Sequence, residues 1–117
     1  MRLFFYVLNK TEKLDTILAE FAHSGISGAT VLESMGMARI LSHKHDEDEL
    51  PFLGSLRKLL YPEREKGNLI FAIIHDEQLT EAVNIIEKTV GDLTIKDNGI
   101  VFSFPIDYVK GIIDNGK

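Results

Sequence analysis

Cysteine and tryptophan are absent from this chain of 117 residues, and proline occurs only three times. Without cysteine there is no disulfide framework, no thiolate nucleophile and no Cys-ligated zinc or iron–sulfur site. No run of about 18 apolar residues occurs, so no transmembrane segment is expected. No basic and apolar leader stands at Met1, and the expected location is cytoplasmic. Positive charge is also scarce, with 13 Lys and Arg against 18 Asp and Glu and a formal net charge of −5. Because nucleic-acid affinity rests on clustered Lys and Arg, neither DNA nor another nucleic acid is an expected partner. Catalytic signatures are missing as well: there is no GxSxG elbow, no HExxH, no Walker loop and no GxGxxG after the first strand. The chain is expected not to be an enzyme.

What remains is a hydrophobic fraction of 44%, enough for one core, and a single domain over 1–117 is expected. The almost wholly apolar run Arg2 to Leu8 reads as a strand buried on both faces. Asn9 with Glu12 resembles a capping box, and Leu14, Ile17, Leu18, Phe21 and Ala22 share one helical face that ends at Gly25. A second strand is expected over Gly28 to Leu41, with Gly36 marking a bend or bulge. The acidic run Asp46 to Glu49 makes Ser42 to Glu49 a mobile loop in this reading. Leu53, Leu56, Leu59 and Leu60 then recur at helical spacing before Pro62, which predicts a short extra helix. A third strand follows over Asn68 to Ile74. Asp76 is the expected cap of a second helix with the stripe Leu79, Ala82, Val83, Ile86 and Val90, ended by Gly91. Ile100 to Phe104 is the fourth strand, and the tail from Ile106 carries Tyr108, Val109, Ile112 and Ile113.

The two halves resemble each other: the apolar runs Leu3 to Leu8 and Leu69 to Ile74 correspond, as do the helix ends at Gly25 and Gly91. Two such βαβ halves predict an α+β, ferredoxin-like βαββαβ fold, with both helices on one face of a four-stranded antiparallel sheet. An apolar sheet with its second face bare of helices predicts self-association with closed symmetry.

The stretch Gly25-Ile26-Ser27-Gly28-Ala29-Thr30-Val31, followed by Gly36-Met37-Ala38-Arg39, resembles the G-I-x-G-x-T-V and G-x-G-R segments of nitrogen-regulatory PII signalling proteins. Ile74-His75-Asp76-Glu77 and Ile100 to Phe104 are similar to that family's V-P-D-D helix start and K-I-F-V-F strand. The resemblance implies a homotrimer and a mobile loop, here 42–67, that meets a protein target. It also implies a small-molecule effector held between subunits. That effector is an adenine nucleotide (AMP, ADP or ATP) or another small anion, and no cofactor is required. By the resemblance the ligand-binding residues are Val7, Thr30, Gly36, Met37, Ala38, Arg39, Phe71, Ile73, Lys96 and Gly99. The sequence departs from the pattern where Gly99 takes the place of the phosphate-binding lysine and Ala38 that of a glycine. Ile40 replaces a glutamine, and Tyr108 and Lys110 stand where paired arginines occur. A nucleotide is therefore expected to be held mainly through its base and sugar, since each missing charge-assisted contact removes roughly 1.5–3 kcal/mol.

Two alternatives stay open. His43 and His45 alternate beside carboxylates and are metal-ligand candidates of a trimer resembling CutA-type proteins, although a solvated loop explains the same residues. The other alternative is a purely structural protein-interaction module.

Overall fold

A computed structural model describes residues 1–37 and 66–112. Four strands form one antiparallel sheet in the order β2-β3-β1-β4: β1 (Arg2–Leu8), β2 (Thr30–Ser34), β3 (Gly67–Ile74) and β4 (Ile100–Pro105). Two helices, α1 (Leu14–His23) and α2 (Leu79–Val90), link β1 to β2 and β3 to β4. This is the expected ferredoxin-like α+β arrangement. The expected extra helix and the loop 42–49 lie outside the described residues. Among the described residues no helix is long and apolar enough to cross a membrane.

Side chains alternate across a strand, so the register sorts the sheet into two faces. Phe4, Tyr6 and Leu8 of β1 and Ile70, Ala72 and Ile74 of β3 are buried on one of them. There they pack with Ile17 and Phe21 of α1 and with Ala82, Ile85, Ile86 and Val90 of α2. Phe4 meets Phe21 edge to face at 6.1 Å between ring centroids, the geometry that sets a ring's positive edge against the other's negative face. The apolar stripe of α2 includes Ile85 beside the residues expected from spacing, whereas Ala22 at the end of the α1 stripe is exposed.

Four local expectations are corrected. The first strand is not buried on both faces, since Leu3, Phe5 and Val7 remain partly exposed. No side-chain cap starts α1, because a 3-10 turn over Thr11–Lys13 precedes it and Thr11 N–H donates to the Asn9 carbonyl at 3.0 Å. The second helix is entered through a 3-10 turn over Asp76–Gln78 whose capping residue is His75, not Asp76. The His75 N–H donates to Gln78 Oε1 at 2.8 Å while the His75 side chain accepts from the Gln78 backbone, a reciprocal box with histidine in the usual serine place. Strand β2 ends at Ser34, so Gly36 follows the strand and is not a bulge within it.

Both helix ends fall where the glycines are. Gly25 and Gly91 have φ of 87° and 105°. Lys10 Nζ donates to the Val90 carbonyl at 3.2 Å, a cation on the exposed carbonyls at the C-terminus of α2.

Candidate functional site

The face of the sheet away from the helices is built from three cross-strand rows. Thr30, Phe71, Phe5 and Phe102 pair in succession across all four strands. On one side of that row lie Leu32, Leu69, Val7 and Ile100, and on the other Ile73, Leu3 and Phe104. Phe5 is the hub, stacked on Phe102 at 4.8 Å and tilted against Phe71 at 5.9 Å and Phe104 at 6.0 Å. Nothing among the described residues covers most of this surface: Ile100 is 63% exposed, Leu32 51% and Phe102 47%.

At one end of this face lies a cleft of about 940 Å³, with Leu3, Phe5, Phe71 and Ile73 for its floor and the turn from Gly25 to Thr30 along one side. The far wall is the chain after β4. Ile106 N–H donates to the Met1 carbonyl at 3.2 Å, and the chain then crosses from the β4 edge to bring Gly111 and Ile112 to the side where β2 begins. Gln78, locked in the capping box, also reaches the Gly25 carbonyl with Nε2 at 3.4 Å and so ties the turn to the start of α2.

The opposite end of the sheet carries the turn Gly91 to Gly99. Tyr6, fully buried, donates its phenol proton to the Asn98 carbonyl at 2.7 Å. Burial first, and the nearby Asp97 charge second, hold that phenol well above its usual range. Asn98 in turn donates from Nδ2 to the Asp92 carbonyl at 2.7 Å. Thr94 donates its N–H and its hydroxyl to Asp92 Oδ1, both at 2.8 Å, and these bonds, the backbone one first, hold that exposed carboxyl below its usual pKa. Gly99 has a φ of 100°, and a side chain there would run into the Val7 carbonyl and the Tyr6 ring. Its glycine is thus required by the packing of this turn against β1.

The expected ligand residues therefore fall into two groups. Thr30, Phe71 and Ile73 come together in the cleft. Val7 and Gly99 meet at the other end, where Lys96 is exposed on the same turn. Gly36 and Met37 continue from the end of β2 that pairs with Gly67, and both are exposed. Ala38, Arg39, His43 and His45 lie outside the described residues. Among the described residues, no group of three His, Asp or Glu side chains is placed to hold a metal ion. Sequence reasoning named neither His75 nor Gln78 nor Ile112 as part of the cleft. The signal for the first two is the three-residue spacing of a capping box, while Ile112 reaches the cleft only through the path of the tail.

No family model matches this chain. No curated protein matches it.

Proposed function

We propose that this chain is a non-catalytic, PII-like regulatory protein. It assembles as a homotrimer through the uncovered sheet face, takes an adenine nucleotide or another small anion between subunits, and signals to a protein target through the loop 42–67. The observation that carries the proposal is the open aromatic and aliphatic surface at Leu32, Ile100 and Phe102, beside the cleft, since exposed apolar surface is stabilised by being removed from water. The division of the expected ligand residues between two ends of one sheet supports it too. Two copies set side by side would join the Val7, Lys96 and Gly99 end of one to the Thr30 and Ile73 end of the next. Ligand-dependent ordering of the loop would then change the surface offered to the target.

Calorimetric titration with AMP, ADP and ATP, with and without magnesium, tests the ligand half of this reading. The three are expected to bind with affinities within about tenfold of one another, a difference of about 1.4 kcal/mol. Absence of heat with all three, together with heat from copper or zinc, would overturn it in favour of a metal-binding protein.

A further inference from the structure

We infer that the cleft beneath the tail is a second, self-contained binding site, formed within one chain, for a small, flat, uncharged ligand such as an aromatic ring system. It shares Thr30, Phe71 and Ile73 with the reading above but needs neither a second copy nor an anion. The volume, about 940 Å³, falls in the range of small-molecule sites, which are concave and mostly apolar with a few polar groups at the rim. Its floor holds two phenylalanine rings, Phe5 and Phe71, 5.9 Å apart. The Ser27 and Thr30 hydroxyls supply polar edges beside exposed backbone.

Charge argues for a neutral occupant. No lysine or arginine lines the cleft among the described residues, and the Met1 amino group at its rim is 3.6 Å from the Asp76 carboxylate. An anion entering there would lose hydration beside an ammonium already paired with a carboxylate, whereas a neutral ring gains from the same apolar walls. The far wall is also suited to admitting a ligand. Among the described residues, the last backbone hydrogen bond of the tail is the one from Ile106, and Ile112 reaches the cleft six residues later, still 40% exposed. A segment fixed at one end and resting on apolar contact at the other can part and reclose over a bound molecule.

Prodan, a neutral naphthalene fluorophore, is the probe, and the anionic anilinonaphthalene sulfonate is its charged counterpart. Ile112→Asp alters the tail wall. Gly28→Leu adds bulk to the turn that lines the cleft, at a position where an added Cβ meets nothing within 4 Å. Ile100→Ser changes the open face outside the cleft, at a residue that is 63% exposed, and reports on assembly. The expected result is saturable prodan binding at one site per chain, at least tenfold weaker in both cleft variants and unchanged in Ile100→Ser, with the anionic probe at least tenfold weaker than prodan. Prodan binding that is absent, that survives either cleft substitution, that disappears in Ile100→Ser, or that the anionic probe equals would overturn the inference. If light scattering shows the wild-type protein to be a monomer, the assembly reading fails while the same titration still decides this one.

Discussion

On the helix side of β1, Phe4, Tyr6 and Leu8 are fully buried, while Leu3, Phe5 and Val7, each one position away on the same strand, stay partly exposed. The composition of the two sets is nearly the same. What differs is the partner: α1 and α2 close over one face, and nothing among the described residues closes over most of the other. Apolar character alone thus does not say whether a residue belongs to the core of a chain. A face as apolar as the core, yet uncovered among the described residues, is the basis of the assembly proposed above.

The comparison breaks most visibly at Phe4. Phe4→Ala removes a fully buried ring packed on Phe21, and unfolding in urea should show a loss of about 3–5 kcal/mol. A loss below about 1 kcal/mol would mean that the helix-covered face is not the main source of stability.

Tyr6→Phe should cost about 1–2 kcal/mol at neutral pH, because the buried Asn98 carbonyl loses its donor. The same residue sets an alkaline limit. The folded-state phenol ionises above its unfolded value of about 10, so the unfolded chain releases its proton first as pH rises. Stability attached to the protonated phenol is fully present below about pH 10 and falls above it, by up to about 1.4 kcal/mol per pH unit. Denaturant midpoints measured from pH 8 to 11 should show this decline in the wild type and a shallower one in Tyr6→Phe. Parallel declines would place the alkaline limit elsewhere.

Phe102→Ser should change the stability of the separate chain least, by at most about 1 kcal/mol, since the ring is already 47% exposed. Its effect should instead appear in the mass of the particle in solution. A large loss of chain stability without any change in mass would contradict the distinction between the faces.

The fold was legible because strand and helix order depends on local patterning. Leu3 to Leu8 and Leu69 to Ile74 read as strands, and the stripes at Ile17, Phe21, Ala82, Ile86 and Val90 read as helix faces turned to one core. The first strand reads as doubly buried for a physical reason: when both faces are apolar, the alternation that marks a half-exposed strand is absent. Sequence puts the start of α2 at Asp76 because aspartate is the commoner cap, whereas His75 with Gln78 makes the reciprocal contacts. The cleft itself was not legible. It joins Gly25 to Thr30, Phe71 to Gln78 and the tail at Ile112, segments far apart in the chain, and periodicity carries no information on such long-range encounters. Thr30, Phe71 and Ile73 were named through the family resemblance, not through any spacing that could have set them side by side.

The most direct test of the account is the mass of the wild-type protein by light scattering at micromolar concentration. Burial of the Leu32, Ile100 and Phe102 surface between copies predicts a particle three times the 13.2 kDa of the chain. A particle of 13.2 kDa across that concentration range would contradict it.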